Sequence, residues 1–167
     1  AIALRELGET YLNGQNIDRA LEAFKESISI FRCEGSMDDL PHTLIRFARA
    51  LSASGQIKEA LESIDEARQL CDHYNFAAIK VSLFQVLAEI YNQHHIQPPL
   101  NIAEPNAIIH FLEKALQAGA SIEGWHASAR LCTMLSDAWA EAGELVHALN
   151  YSRKALAAEQ TENALRI

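Results

Sequence analysis

Histidines and cysteines are the residues of this sequence that could hold a metal ion or act as nucleophiles. His94 and His95 are adjacent, but a zinc site needs at least one further ligand. Neither the His-x3-His nor the His-Glu-x-x-His spacing occurs. The other histidines are scattered, and we expect them at surface or groove positions of different helices: His42, His73, His110, His126 and His147. We therefore predict no metal site and no cofactor.

The cysteines are odd in number and far apart, at Cys33, Cys71 and Cys132. None belongs to a Cys-x-x-Cys pair, and each lies within or at the end of an apolar helical pattern. This usage is typical of reduced, partly buried thiols in a cytoplasmic protein rather than of a disulfide framework. We expect them to have a packing role.

Other catalytic motifs are absent from the sequence. There is no glycine-rich phosphate loop after a strand, no Gly-x-Ser-x-Gly turn and no recognisable carboxylate pair. Trp125 and Trp139 are 14 residues apart, nearly four helical turns, so we expect both on one helix face, packed in the core. The sequence therefore predicts a protein that is not an enzyme.

The net charge and the hydropathy limit the classes of partner that the chain could bind and the compartments in which it could reside. The net charge is −8 and evenly spread, so no basic stripe is available for nucleic acid or for an anionic membrane surface. No apolar run has the ~18 residues of a membrane span, and no secretory signal precedes the first helix. We expect a cytoplasmic protein. Because the chain begins at Ala1 without methionine, inside a helical pattern, we also expect it to be a segment of a longer protein.

A 40-residue repeat organises the chain. Residues 17–22, Ile-Asp-Arg-Ala-Leu-Glu, match residues 57–62, Ile-Lys-Glu-Ala-Leu-Glu. Upstream, Leu4, Leu7, Gly8 and Tyr11 match Leu44, Phe47, Ala48 and Leu51, then Phe84, Leu87, Ala88 and Tyr91, and, after an 8-residue insertion, Cys132, Leu135, Ser136 and Trp139. The apolar spacing is helical. It predicts helices at 1–13, 17–33, 40–54, 57–73, 76–94, 105–118, 122–142 and 144–165.

Small residues and turn residues support pairs of closely packed helices. Gly8, Ala48, Ala88 and Ser136 in the first helices, and Ala20, Ala60 and Ala148 in the second, are predicted to lie where helices approach. Asn13-Gly14, Ser54-Gly55 and Gly143 fall between paired helices, where glycine can adopt a left-handed conformation. The N-cap and first turn of the next helix pair are predicted at Asp38, Asp39 and Pro41.

With these residues, the pattern resembles the tetratricopeptide repeat family. Repeat one matches its signature at Leu4, Leu7-Gly8, Tyr11, Ala20 and Phe24, while Arg32, Asp72, Ala120 and Gln160 stand where the family has a helix-ending proline. The resemblance implies an all-α fold: an α-solenoid of about four antiparallel hairpins in a right-handed superhelix. It covers the whole chain, with repeats at about 1–39, 40–75, 76–120 and 121–160 and a helical extension to 167.

The long period is similar to that of a subgroup found in bacterial regulators. It includes maltose-type transcription activators, repeat-bearing diguanylate cyclases and histidine kinases. The resemblance implies an interaction module that binds a protein or peptide, in the sensor or regulatory region of a larger bacterial signalling protein. Two alternatives stay open: a free-standing adaptor of the co-chaperone kind, and a self-assembly module that dimerises through the solenoid end or the C-terminal helix.

In that family, one face of the first helices lines an inner groove. Carried over residue by residue, the groove comprises Ile2, Arg5, Glu9, Leu12 and Asn13; His42, Ile45, Arg49 and Ser52; Ser82, Gln85, Glu89 and Asn92; and Arg130, Thr133, Asp137 and Glu141. We expect Asn13, Gln85 and Asn92 to hold a peptide backbone and Arg49 or Arg130 to take a carboxylate. Pairs such as Arg5/Glu9 and Arg49/Glu89 could instead satisfy one another.

Two further segments have alternative interpretations. The insertion at 94–104, with Pro98-Pro99, is either a tolerated loop or a contact element for a partner. The last segment, 151–167, stays helical and is either a connector to an output domain or a capping helix.

Overall fold

The computed structural model describes residues 1–98 and 102–164, and all regular secondary structure in these residues is α-helical. The all-α prediction is confirmed. The helices are α1 (Ile2–Asn13), α2 (Ile17–Glu34), α3 (Leu40–Ala53), α4 (Ile57–Tyr74), α5 (Ala77–His94), α6 (Ala107–Ala120), α7 (Ala129–Glu141) and α8 (Leu145–Ala164).

Each helix packs against its neighbours in the chain, most extensively within the pairs α1–α2, α3–α4, α5–α6 and α7–α8. Helices α1, α3 and α5 also lie side by side, because α3 contacts both α1 and α5. The buried side chains form two clusters, one over α2–α5 with α1 packed onto it, and one over α5–α8. Helix α5 belongs to both clusters.

Small residues mark the closest approaches between paired helices. A Cβ atom at Gly8 would lie 2.8 Å from Cε1 of Phe24, which is fully buried in α2. Ala20, Ala48, Ala60 and Ala88 are also fully buried. At the equivalent point of the last pair, the Ser136 hydroxyl donates a hydrogen bond to the carbonyl oxygen of Ala148, 2.9 Å away. The predicted positions of close approach are thus buried and tightly packed.

The turns within the helix pairs follow the prediction at two positions and depart from it at a third. Gly55 and Gly143 are left-handed, with φ of 80° and 81°. Gly14 has φ −80°, and Gln15 adopts the left-handed conformation instead, with φ 59°. The predicted left-handed residue at the first turn is therefore wrong by one position. A non-glycine residue is strained there, because its Cβ crowds the backbone.

The prediction of a helix over 122–142 is wrong at its start, because α7 begins only at Ala129. Gly124 has φ 73°, and the Ser128 hydroxyl accepts a hydrogen bond from the backbone N–H of Leu131 as an N-cap. In the intervening segment, Trp125 packs directly over Gly119 of α6, where any side chain would collide with the indole. Trp125 and Trp139 therefore do not share a helix face.

Parts of the two ambiguous segments lie outside the described residues: Pro99, Leu100 and Asn101 of the insertion, and Leu165, Arg166 and Ile167 at the C-terminus. Between them, α6 starts at Ala107 rather than at 105, with the Asn106 side chain accepting from the N–H of Ile109 as an N-cap. Over the described part of the chain, no helix combines the length and hydropathy of a membrane span.

Gly8→Leu tests the close approach of α1 and α2. The added side chain would displace the buried Phe24 ring, so we expect a loss of about 1–3 kcal/mol in unfolding free energy, the usual cost of overpacking a core. Thr10→Leu, at an exposed position of the same helix, is the control and should change little. Urea denaturation of both variants measures the difference, and equal stabilities would contradict the packing described.

Candidate functional site

Charged side chains of α1 and α3 pair across the face on which the two helices meet. The Arg5 guanidinium donates to Asp39 Oδ1 at 2.8 Å, and Arg46 donates to Glu6 Oε1 at 3.0 Å. Arg5 also donates to Glu6, and this hydrogen bond is the main cause of the lowered pKa of Glu6. Glu9 lies between two guanidiniums, with Arg46 and Arg49 each 3.9 Å away.

The pairing continues across α3, α5 and α7. Arg49 Nε donates to Glu89 Oε2 at 3.2 Å, and Arg130 of α7 donates to Glu89 Oε1. The Glu89 side chain is only 16% exposed, so one largely buried carboxylate joins three helices. We call the connected set the charge ladder; it consists of Arg5, Glu6, Glu9, Asp39, Arg46, Arg49, Glu89 and Arg130.

The ladder follows the sequence repeat. Glu9, Arg49, Glu89 and Asp137 occupy equivalent positions of the four first helices, at offsets of 40, 40 and 48 residues. The charges of the first three alternate negative, positive, negative. Arg49 lies within ion-pair distance of both Glu9 and Glu89. At the fourth position the alternation breaks, because Asp137 repeats the negative charge of Glu89.

A cavity of about 150 Å³ lies between α5, α6 and α7, where the alternation breaks. Three carboxylates line it, those of Glu89, Asp137 and Glu141. The apolar wall includes Ile108 of α6 and Met134 of α7, and the remaining lining residues are Ala88, Asn92, Gln93 and Ala138. We call it the acidic pocket. Its combination of carboxylates with aliphatic wall matches the charge and the methylene stem of a lysine or arginine side chain.

The predicted groove residues lie on the odd-numbered helices and differ in exposure. Asn13, His42, Ser82 and Asn92 are exposed, and Gln85 is partly buried. Their role as a peptide groove stays a prediction. Two positions of the wider set were wrong: Ile45 is in the core, and Ser52 is buried, with its hydroxyl 2.9 Å from His94 Nε2. Both turn inward because α5 packs over this side of α3.

The predicted ion pairs are confirmed in one case and wrong in the other. Arg49 pairs with Glu89 as expected, whereas Arg5 pairs with Glu6 and Asp39 rather than with Glu9. Asp39 stands at the N-cap of α3 without a side-chain capping hydrogen bond, since its carboxylate accepts from Arg5 instead. Its expected capping role is thus replaced by a contact between helices.

Sequence reasoning missed Glu6 and Arg46 as members of this surface. They are 40 residues apart, at equivalent positions of repeats one and two, and carry opposite charges. Comparing charges position by position along the repeat would have found them. The groove was instead assigned from the family pattern, which marks neighbouring positions.

His42 is the histidine closest to the ladder. Partial desolvation lowers its pKa, the nearby Arg5 and Arg46 lower it further, and Asp39 opposes them. We therefore expect His42 to be neutral near pH 7 and to donate or accept hydrogen bonds rather than contribute charge. Among the described residues, no group of three or more His, Cys, Asp or Glu side chains is arranged to hold a metal ion.

No protein-family model matches this chain, and no curated protein matches it. Among solved structures, the crystal structure of BtubC (BKLC) from P. vanneervenii superimposes with a TM-score of 0.72. The match covers 96% of this chain and 63% of BtubC, at 17% sequence identity. The likeness is one of fold. The chain spans less than two thirds of the length of BtubC.

Glu89→Gln tests whether the ladder contributes to stability. The substitution removes the charge that holds Arg49 and Arg130, so we expect a loss of about 1–2 kcal/mol at low salt, shrinking as salt screens the remaining charges. The matched control is Glu62→Gln, in an exposed pair with Lys58 at 3.8 Å, which should cost at most a few tenths of a kcal/mol. Equal effects in thermal denaturation would mean that Glu89 has no special structural role.

The three thiols should differ in reactivity. Cys33 is exposed, contrary to the expectation of partial burial, while Cys71 and Cys132 are buried. Burial raises the pKa of Cys71 to about 11 and also raises that of Cys132, so both stay protonated and unreactive at pH 8. A thiol reagent should therefore label Cys33 rapidly in the native protein, and the other two only after denaturation. Rapid native labelling of Cys71 would contradict its burial.

Proposed function

We propose that this chain is an interaction module, a solenoid of tetratricopeptide-like hairpins that binds an extended segment of another protein along its odd-numbered helices. In this proposal the acidic pocket takes a lysine or arginine side chain of that segment. The observation that carries the proposal is the break in the charge ladder between Glu89 and Asp137, with a cavity at the same place.

The helix arrangement supports the repeat part of the proposal. Helices pack in sequence-adjacent pairs, and the positions that the 40-residue register assigns to close approach hold small, buried residues. Each unit of such an array contacts mainly its neighbours, so equivalent helices present a continuous surface on which an extended segment can lie. The likeness to BtubC supports the fold and says nothing about a partner.

Electrostatics favour a basic segment over an acidic one. Arg49 or Arg130 was expected to receive a carboxylate from the ligand, but Glu89 already accepts hydrogen bonds from both. Among the described residues, no cationic group lies within ion-pair distance of Asp137 or Glu141, the two other carboxylates of the acidic pocket. A cationic side chain there would restore the alternation of charge, and the partly enclosed site would strengthen the pairing relative to water.

A further property of the pocket would set its selectivity. The wall formed by Ile108 and Met134 can cover the methylenes of a long side chain while its charged end reaches Asp137. Short polar side chains would leave the carboxylates without a partner. We therefore expect selection for lysine or arginine at one position of the bound segment, flanked by residues that contact Asn92 or Gln85.

The experiment is a positional peptide array probed with this chain, followed by calorimetric titration of the best sequence. We expect enrichment of lysine or arginine at one position. We expect Asp137→Asn to weaken binding by about 1–2 kcal/mol, which corresponds to roughly 5–30-fold in Kd. The control Glu59→Gln removes an equal charge on the exposed side of α4 and should leave Kd unchanged.

Arg49→Ala and Arg32→Ala distinguish the ladder from the rest of the surface. Arg32 lies away from it, donating two hydrogen bonds to Glu66 of α4. Removing Arg49 leaves Glu89 paired with Arg130 alone, which makes the site more negative and should raise affinity for the basic peptide, whereas removing Arg32 should leave it unchanged. Selection for acidic peptides, or equal effects of both arginine substitutions, would overturn the proposed site.

A further inference from the structure

Helix α8 carries large aliphatic side chains that no described residue covers. Leu145, Leu149 and Leu156 are 71%, 55% and 59% exposed, and Val146 is 82% exposed. The three leucines are spaced by four and seven residues, so they form one stripe along the helix. Such a contiguous exposed stripe marks an interaction surface.

The repeat register indicates what covers the equivalent surface elsewhere in the molecule. Leu149 and Leu156 correspond to Leu21 and Ile28 of α2, which are 7% and 5% exposed. Helix α3 packs against α2, and Ile28 lines an open cavity together with Leu44 and Phe47 of α3. The leucine stripe of α8 is therefore equivalent to a surface that receives the first helix of a following pair.

Helix α1 has the matching surface. Leu4 and Leu7 occupy the register of Leu44 and Phe47, and Leu7 is 41% exposed. They line an open groove together with Glu22 and Glu26 of α2. Beside α3, the equivalent surface is covered by α2. Beside α1, no described residue covers it.

We propose that α1 of one copy packs on the leucine stripe of α8 of a second copy, repeating the contact between α2 and α3. Leu4 and Leu7 would then lie against Leu149 and Leu156. This association is head-to-tail, with different surfaces on the two copies, so it can continue into chains of copies rather than stop at a dimer. The leucines of this contact, Leu4, Leu7, Leu149 and Leu156, do not line the acidic pocket.

Charges around the two surfaces favour the contact at one edge and oppose it at the other. Lys25 and Glu66 line the same cavity. In the repeat, Arg153 of α8 is equivalent to Lys25, and Glu26 is equivalent to Glu66. Arg153 should therefore approach Glu26 of the second copy. On the side of the charge ladder, Asp137 would lie opposite Glu9 of the second copy. Within the chain, the equivalent contact pairs Glu9 with Arg49. The like-charge contact between Asp137 and Glu9 should keep the association weak.

Sedimentation velocity of the chain over about 10 µM to 1 mM, a range suited to weak interfaces near the ~1,200 Å² lower limit, tests the proposal. We expect the mean mass to rise beyond twice the 18.5 kDa chain mass without reaching a plateau. Leu149→Glu and Leu7→Glu should each abolish the rise. An equimolar mixture of these two variants should form a dimer and nothing larger, because one intact contact remains between them.

Two further variants separate this contact from other associations. Val146→Glu changes the most exposed of these four aliphatic residues of α8, at 82%. Its equivalents in the repeat, Asp18 and Lys58, are exposed as well, so the substitution should leave association unchanged. Asp137→Lys should tighten it at least threefold by restoring the alternation opposite Glu9. A plateau at two copies that Leu7→Glu does not disturb would overturn the proposal in favour of α8–α8 pairing. A concentration-independent monomer would overturn it in favour of another occupant of the stripe.

Discussion

Close approach of paired helices is the constraint on which this structure depends. Two helices can cross near their backbones only where one of them lacks a bulky side chain, and Gly8 against the Phe24 ring is one example. Small residues return at the equivalent positions after 40, 40 and 48 residues, as Ala48, Ala88 and Ser136. Because the first three pairs repeat with the same spacing, the equivalent side chains of Glu9, Arg49 and Glu89 come to lie beside one another.

The charge ladder is a consequence of that regularity. An isolated surface ion pair contributes little, because solvent screens it and ordering two long side chains costs entropy. Here, Arg49 and Arg130 share the carboxylate of Glu89, so a group that is already ordered serves two partners. The ladder thus links successive helix pairs. Its break at Asp137 is a change of charge at an equivalent position of the repeat.

Much of this fold could be predicted from the sequence, because helical period and small-residue spacing are local signals. The start of α7 could not, since it depends on Trp125 packing over Gly119 of α6, a contact between residues of different elements. The local sequence also did not distinguish Gly14 from Gln15 as the left-handed residue. For the candidate site, Glu89, Asn92, Asp137 and Glu141 of the pocket were among the predicted groove residues, but Ile108 and Met134 were not. The charge balance of the pocket required knowing that Glu89 receives both arginines.

The position of α5 in both buried clusters has a consequence for the motions of the molecule. Ala88 packs with the later helices, while Leu83 and Val86 pack with the earlier ones. Opening either half alone leaves α5 protected by the other, so its amide hydrogens exchange with solvent only when both halves open together. We therefore expect α5 to be the slowest-exchanging element and the two halves to unfold in a single cooperative event.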